Sequence, residues 1–245
     1  MLKDVPSIEV PVSQLREIYT SGLYLEKNPG WHLEEAPWKA KQIMSMLNKH
    51  GLSPQMVCEV GCGVGGVLKQ LQERSAETCE FWGYDISPQA IALAEMFQNE
   101  RLYFRQADIL QEAVPPFDLV LLMDVLEHLE DLQSFLRRLK LKGEYKLFHV
   151  SLMISVQTVV RKNGFAHVRE KYGMVNYFTR DTLLQALRDA GYEIIDHCYT
   201  TSSTDLPTHV VRKRLMRLPR KILFALNRDL AACLLGGYRC LVLAR

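Results

Sequence analysis

The chain has 245 residues, of which 48% are hydrophobic and 24% charged, and its formal net charge is +2. That length suits one α/β domain with a substantial core, and so small a net charge argues against a nucleic acid as the main partner. None of the six cysteines forms a C-x-x-C pair, so we expect reduced thiols rather than disulfides or a zinc site. We find no signal-peptide core and no apolar run long enough to span a bilayer, which adds to the expectation of a cytoplasmic protein.

Apolar runs typical of strands alternate with helical patterns from about residue 56 to residue 155. The predicted strands are MVCEV (56–60), CEFWGYD (79–85), LYFRQA (102–107), FDLVLLMD (117–124) and EYKLFHVSLMI (144–154). The predicted helices between them lie in VGGVLKQLQERSA (64–76), IALAEMFQ (91–98) and LEDLQSFLRRLK (129–140). This alternation predicts a Rossmann-like, doubly wound parallel sheet with helices on both faces and ligands at the carboxyl ends of its strands.

The flanking segments complete what we predict to be a single domain over residues 1–245. A helical cap at 1–50, with a helix in PWKAKQIMSML (37–47), precedes the alternating region. A long loop without a clean hydrophobic period at 155–178 follows it, and then a helix at 180–190 that Thr179 caps and Gly191 ends. The last parts are strands at 192–200 and 238–245, with an insertion at 201–236 between them. We expect the 155–178 loop and the insertion to lie on the substrate side of the domain.

The stretch VCEVGCGVGGVL (57–68) carries the first chemical signal. Gly61, Gly63 and Gly66 fit the G-x-G-x-x-G spacing of a dinucleotide-binding turn, and Gly65 allows a G-x-G-x-G pattern. A tight strand-to-helix turn without a ligand would use the same glycines. Glu59 favours a cationic ligand, because a desolvated carboxylate there opposes a pyrophosphate and suits the ammonium and sulfonium of S-adenosylmethionine (SAM). Its oxygens can also accept amide hydrogens from the glycine turn.

Two further acids follow the next two predicted strands. Asp85 ends the second strand, where a carboxylate accepts the hydroxyls of a ribose, as it also does in NAD enzymes. Asp108 ends the third strand and can accept from an adenine amino group, while Ile86 and Ile109 supply apolar faces to the ring. Asp108 alone would suit a helix N-cap equally well. Together with Glu59 and Asp85, it favours a ligand.

These residues resemble the successive motifs of the class I SAM-dependent methyltransferases. The matching motifs are E-x-G-x-G-x-G at 59–65, GYDIS at 83–87, ADIL at 107–110 and FDLVLLMDVLEHLED at 117–131. The resemblance covers residues 30–200 and is strongest to the small-molecule branch with the ubiquinone, menaquinone and biotin-pathway enzymes. It implies seven strands in the order 3-2-1-4-5-7-6 with the last strand antiparallel, and S-adenosylhomocysteine as product. It also implies SAM contacts from Glu59, Gly61, Cys62, Gly63, Asp85, Ile86, Asp108, Ile109 and the backbone near Met123.

Methyl transfer needs alignment, and it needs a base only where the acceptor must lose a proton. Polar residues cluster after the fourth strand, at Asp124, Glu127, His128, Glu130 and Asp131. The acids suit the start of a helix, where its dipole favours negative charge. His128 is the better candidate base, because a neutral imidazole accepts a proton near pH 7. His167 and Tyr172 compete with it.

The absence of two sequence motifs restricts the class of acceptor molecule. No N-P-P-Y-like motif follows the fourth strand, which argues against adenine or glutamine amino groups, and no Asp-Asn pair follows the fifth, so we predict no metal site. We therefore predict methyl transfer to an oxygen or carbon atom of a small, apolar or lipid-like acceptor. The alternatives are a non-catalytic SAM-binding protein and an NAD(P)-dependent oxidoreductase.

The insertion has an unusual composition. Residues 210–235 read VVRKRLMRLPRKILFALNRDLAACLL, which is rich in basic residues, and its apolar residues recur every four positions at Ile222, Leu226, Leu230 and Leu234. That pattern predicts an amphipathic helix. We interpret it as a lid helix that packs on the domain with its charges solvated. The alternative is a peripheral contact with anionic lipid.

Overall fold

The computed structural model describes residues 15–28, 30–201, 205–206 and 217–245, and a seven-stranded sheet forms its centre. The strands are β1 (Met56–Val60), β2 (Glu80–Asp85), β3 (Leu102–Gln106), β4 (Phe117–Met123), β5 (Gly143–Ser151), β6 (Ile194–Thr200) and β7 (Arg239–Ala244). Their order is β3-β2-β1-β4-β5-β7-β6, and β7 runs antiparallel to both of its neighbours. The predicted strand order and the reversed last strand are therefore confirmed.

Helices cover the sheet and its carboxyl edge. They are α1 (Leu15–Thr20), α2 (Leu23–Lys27), α3 (Ala36–Lys49), α4 (Gly66–Gln72), α5 (Pro88–Ala94), α6 (Leu132–Leu139), α7 (Val156–Val159), α8 (Gly164–Tyr172), α9 (Arg180–Asp189), α10 (Arg217–Leu226) and α11 (Arg228–Leu235). The predicted cap of α9 is confirmed: the Thr179 and Thr182 side chains form a reciprocal capping box. The helix ends before Gly191, which has a φ of +90°.

The central strand β4 has both faces buried, as its nearly continuous apolar sequence predicts. Leu119 and Leu121 pack with the apolar sides of α3 and α4, whereas Val120 and Leu122 pack with those of α6 and α9. Because side chains alternate along a strand, this single strand joins two cores on opposite sides of the sheet. The carboxyl edge is thereby held between two rigid layers.

The prediction of a long loop at 155–178 is wrong, since this segment contains α7 and α8. Only Gly164 and Val168 of α8 are buried, so the helix lacks the apolar period by which it could be recognised. The turn into α8 also depends on local geometry. Asn163 has a φ of +57°, and a Cβ atom on Gly164 would lie 2.5 Å from the Thr158 carbonyl oxygen.

The predicted helix of the insertion is two helices, because Asn227 interrupts it. Asn227 has an extended backbone, and its side chain accepts a hydrogen bond of 2.9 Å from the Leu230 amide as the N-cap of α11. Residues 1–14 of the predicted cap, and residues 202–204 and 207–216 of the insertion, lie outside the described residues. Within the described ranges, the helices are too short or too polar to cross a membrane.

Candidate functional site

The glycine loop turns β1 into α4 through three left-handed residues. Gly61, Gly63 and Gly65 have φ angles of +70°, +53° and +76°, which residues with a Cβ atom rarely adopt. The Gly61 amide donates a hydrogen bond of 2.8 Å to the carbonyl of Tyr84 in β2. A Cβ atom on Gly65 would lie only 2.4 Å from the Phe104 ring. Both backbone conformation and crowding therefore require glycine here.

Asp85 connects the glycine loop to the end of β2. One carboxylate oxygen accepts from the Gly63 amide at 2.8 Å, and the other accepts from the Ser87 amide at 2.8 Å. Burial raises the pKa of Asp85, while these amide hydrogen bonds act in the opposite direction. Each oxygen keeps a second lone pair, so the carboxylate is oriented and can still accept from a ligand. Ile86, which follows, is half-buried.

Glu59 is buried at the end of β1, with 2% of its surface exposed. The expected bonds from the glycine turn are not made, because Tyr84 and Asp85 accept the Gly61 and Gly63 amides. Its Oε2 atom is buried without a hydrogen-bond partner in the described part of the chain. Burial raises the pKa of Glu59 to about 8, and Lys39 lowers it only in part. A buried, unsatisfied acceptor of this kind fits a cationic ligand group.

The other predicted cofactor residues have mixed outcomes. Asp108 is the N-cap that its position allowed, because its side chain accepts from the Leu110 amide at 3.0 Å. Ile109 is 1% exposed and belongs to the core, so its side chain has no face for an adenine ring and that expectation is wrong. Cys62 and Met123 are also buried, beside the loop and at the end of β4.

A cluster of charged residues lies on the other side of the carboxyl edge. Asp124 follows β4 with a φ of +61°. Its carboxylate contacts Lys39 at 2.7 Å, Arg239 at 3.3 Å and His149 at 3.5 Å. Arg239 also binds Glu35 at 3.1 Å. Burial by itself raises the pKa of Asp124, but Arg239 and Lys39 outweigh it and hold the pKa well below its usual range.

The acids after β4 differ in role. Glu127 is fully buried, and its carboxylate accepts from the Ser151 amide at 2.6 Å. Burial and the charge of Asp124 raise the pKa of Glu127 to about 8. Asp131 instead caps α6 through the Ser134 amide at 3.1 Å. The interpretation as acids at the start of a helix is therefore right for Asp131, and Glu127 also lies in the first turn of the short 3-10 helix Leu126–His128. It is wrong for Asp124, which is held by ion pairs.

His128 meets a tyrosine from the N-terminal segment, because the Tyr19 hydroxyl lies 2.7 Å from His128 Nδ1. Burial lowers the pKa of His128 and raises the pKa of Tyr19, which favours a neutral imidazole beside a protonated phenol. Tyr172 also reaches this point, since its carbonyl lies 3.3 Å from the Tyr19 hydroxyl. His167 is exposed on α8, and the structure does not bring it to His128.

The N-terminal segment covers the glycine loop with aromatic rings. Tyr24 lies between Tyr19 and Trp31, with ring centroids 5.2 Å and 4.9 Å away. The Trp31 ring is 3.3 Å from the position of a Cβ atom on Gly63. Trp31 and His32 both have left-handed φ angles, of +43° and +55°, which is uncommon for bulky residues. This part of the predicted cap therefore lies directly over the predicted cofactor site.

Sequence reasoning missed Tyr19, Lys39 and Arg239. Arg239 did carry a signal, because it is a single charge at the start of the apolar strand RCLVLA, and a buried charge needs a partner. Lys39 lies on the buried side of the amphipathic helix α3, which is a signal of the same kind. Tyr19 had no such signal, because its partner is 109 positions away.

Comparison with protein families gives one match over most of the chain. A family model described as a methyltransferase domain matches residues 33–197. A ubiquinone biosynthesis O-methyltransferase of Pseudomonas fluorescens is 34% identical over 93 residues, which cover 36% of this chain and 39% of that protein. An ajmaline N-methyltransferase of Rauvolfia serpentina is 30% identical over 93 residues, or 35% and 31% of the two chains. The chain thus spans about a third of the length of these curated relatives.

Solved structures share the fold at low sequence identity. Magnesium protoporphyrin IX methyltransferase from Synechocystis, with bound S-adenosylhomocysteine, has a TM-score of 0.59 and 15% identity, covering 96% of this chain and 99% of that one. Phosphoethanolamine N-methyltransferase 2 of Haemonchus contortus has a TM-score of 0.60 and 14% identity, with coverages of 90% and 58%. The [4+2]-cyclase SpnF has a TM-score of 0.56 and 18% identity, with coverages of 84% and 80%.

Proposed function

The chain belongs to the class I SAM-dependent methyltransferase family, and from that premise we propose that it transfers a methyl group from SAM to a hydroxyl oxygen of a small acceptor. SAM supplies a methyl group that its sulfonium has already activated. The protein's own task is therefore to align the two reactants, exclude water and take up one proton. A carbon acceptor with an acidic proton would make the same demands.

The observation that carries the proposal is the buried Glu59 carboxyl with its unpartnered oxygen. An ammonium beside it would supply the missing donor and favour the ionised form. Asp85, already oriented by two backbone amides, would accept from the ribose hydroxyls. Asp108 has one oxygen engaged as an N-cap and would use the other toward the adenine amino group. These residues fit the chemistry of SAM.

Tyr19 and His128 support an oxygen acceptor. In the proposed relay His128 is neutral, as its lowered pKa favours, and its Nδ1 accepts from the Tyr19 hydroxyl 2.7 Å away, so the pair can take up one proton. The acceptor hydroxyl gives its proton to the Tyr19 oxygen as Tyr19 passes its own proton to His128 Nδ1, which leaves an imidazolium. Asp124, which raises the pKa of His128, favours that charged form. An amine acceptor that is already neutral would not need this relay.

The two alternatives fare differently. Glu59 opposes the pyrophosphate of a nicotinamide dinucleotide, and the family match argues against an oxidoreductase. The other alternative is SAM binding without methyl transfer. A [4+2]-cyclase is among the structural neighbours, so a similar fold does not by itself establish methyl transfer. Binding and transfer are therefore measured separately.

Binding is tested by isothermal titration calorimetry with SAM, S-adenosylhomocysteine and NADH. The wild type should bind the first two ligands, and Glu59→Gln should weaken both by about 10–100-fold, because a charged hydrogen bond is lost. Glu127→Gln is the matched control. Glu127 is equally buried and has a similarly raised pKa, but it follows β4 at the carboxyl edge of the sheet, away from the glycine loop. Equal losses in both variants, or tight NADH binding, would contradict the proposal.

Transfer is tested with labelled SAM and a panel of a catechol, a hydroquinone with and without an isoprenoid chain, and a tertiary amine. His128→Asn should lower kcat by about 10²–10⁴-fold and leave SAM affinity unchanged. His167→Asn is the matched control, because His167 is exposed away from the site. Methylation of the amine alone, or no effect of His128→Asn, would reject the oxygen acceptor.

A further inference from the structure

Three helices at the carboxyl edge expose apolar side chains to solvent. We call this the α7–α10–α11 surface. The exposed residues are Val156, Val159 and Val160 on and just after α7, Leu218, Ile222 and Leu226 on α10, and Leu230 and Leu234 on α11. Leu226 is 78% exposed and Val160 is 76% exposed. A concentration of large apolar residues of this kind marks a contact surface more often than a chance exposure.

The fold does not need these side chains, because α10 is already anchored by its opposite face. Arg220 is buried and donates to the Gln157 side chain at 3.3 Å and to the Leu235 carbonyl at 3.4 Å. Phe224 stacks on Tyr238 with ring centroids 5.2 Å apart. These contacts connect α10 to α7, α11 and the core. The apolar residues of α10 that recur every four positions, Leu218, Ile222 and Leu226, lie on the opposite face. A lid would pack these side chains against the domain, and α10 leaves them exposed.

The surface adjoins the candidate site. Helix α7 follows β5 and α11 precedes β7, and these two strands pair Ser151 with Arg239 at their common end. Arg239 and Ser151 both contact Asp124. Helix α11 packs against both α7 and α10. The exposed apolar residues therefore belong to one packed unit that begins at the edge where the acceptor must enter.

Most of the charges on this surface are positive. Arg161 and Lys162 just after α7, Lys221 on α10 and Arg228 on α11 are exposed, and none of them forms an ion pair within the described part of the chain. The Arg228 guanidinium lies over the Phe224 ring, 5.6 Å from its centroid. Asp229 is the one acid in the sequences of the three helices, and it is bound by Arg180 and Tyr199. The surface thus combines exposed leucine, isoleucine and valine side chains with basic side chains that form no ion pair in the described part of the chain.

We propose that the α7–α10–α11 surface docks on the anionic headgroups of a lipid bilayer. The leucines and valines enter the headgroup–acyl boundary, and the basic side chains lie among the phosphates. A second copy of the chain is the weaker occupant, because a two-fold contact would place these basic residues against one another without acids to pair them. The proposal rests on the proposed function, since it names the source of the acceptor: an amphiphile taken from a bilayer.

The test is co-sedimentation with vesicles of phosphatidylcholine alone and of phosphatidylcholine mixed with phosphatidylglycerol. The wild type should bind the mixed vesicles, and the binding should fade as salt rises. The double variant Ile222→Asp/Leu226→Asp should bind at least about tenfold more weakly. Leu141→Asp is the matched control, because Leu141 is 79% exposed and lies before β5 at the opposite edge of the sheet.

A second variant, Lys221→Gln/Arg228→Gln, leaves the apolar residues in place and should weaken binding to the mixed vesicles only. Absence of wild-type binding, or an equal loss in Leu141→Asp, would overturn the proposal. So would a wild-type dimer, seen by light scattering, that the double aspartate variant dissociates while vesicles are not bound. SAM calorimetry on the same proteins keeps the proposed function separate: lost SAM affinity with retained vesicle binding would reject the function alone.

Discussion

The two sides of the carboxyl edge are built on different principles. On the cofactor side, after β1 and β2, the carboxylate of Asp85 is held by backbone amides only a few residues from strand ends. On the side proposed for the acceptor, after β4 and β5, Asp124 is held by Lys39 from α3 and Arg239 from β7. The first arrangement joins residues at most 22 positions apart, and the second joins residues from opposite ends of the chain. The acceptor side thus depends on the whole fold being in place.

The largest expected effect tests that dependence. Arg239→Met should lower the free energy of unfolding by about 3–5 kcal/mol, because it leaves the mostly buried carboxylates of Asp124 and Glu35, whose side chains are 18% and 16% exposed, without one partner. Urea unfolding measures the change. Arg245→Met is the control, because Arg245 directly follows β7 and pairs with Glu144 while its side chain is more than half exposed. Exposed ion pairs contribute at most about 1 kcal/mol. Similar losses would show that burial of the pair is not the cause.

Each side also buries one acid, and the pH dependence of stability should reveal both. The pKa of Glu59 and that of Glu127 are raised to about 8 in the folded protein. Between about pH 4.5 and 8, the folded state therefore keeps protons that the unfolded state has released. The free energy of unfolding should be highest at the acid end of this window. It should fall toward pH 8, by up to on the order of 1 kcal/mol per pH unit for each group.

Ligand binding separates the two acids. Glu59→Gln and Glu127→Gln should each flatten the slope of the unfolding free energy against pH. Saturating SAM should remove the contribution of Glu59, because an ammonium stabilises its carboxylate, and should leave the contribution of Glu127. Urea titrations at several pH values, with and without SAM, measure this. A slope that neither variant changes would mean that both acids stay ionised in the folded protein at these pH values.

The affinity for SAM should depend on the charge of the Asp85 carboxylate. Asp85→Asn keeps the shape but removes a charged acceptor, and SAM binding should weaken by about 1–3 kcal/mol. Asp118→Asn is the matched control, because Asp118 also accepts two backbone amides, at 2.7 Å and 2.9 Å, but before β1 at the opposite edge. Calorimetry compares the two variants. If Asp118→Asn weakened SAM binding as much, the ribose assignment would be wrong.

The same contrast explains what could be predicted from the sequence. The glycine loop and the positions of Glu59 and Asp85 followed from patterns within a few residues, and the strand order followed from the family resemblance. The charged cluster could not be predicted, because whether a lysine in α3 meets an aspartate after β4 depends on how layers pack. Ile109 failed for a related reason: its position after β3 was right, but packing placed its side chain in the core. Helix α8 was missed because few of its residues face the core.

The smallest expected effect concerns the point where the two sides meet. Tyr19→Phe removes the hydroxyl that lies 2.7 Å from His128 Nδ1 and should lower the free energy of unfolding by about 0.5–1.5 kcal/mol. The aromatic contacts with Tyr24 remain. Nitrogen NMR of the His128 ring is the decisive measurement, because it should show an unprotonated Nδ1 in the wild type and a shifted Nδ1 signal in the variant. Tyr103→Phe, which removes an exposed hydroxyl bound to the Glu100 carbonyl, should leave that signal unchanged. A protonated Nδ1 in the wild type would reverse the direction of the hydrogen bond, and His128 could then not take up the proton from Tyr19.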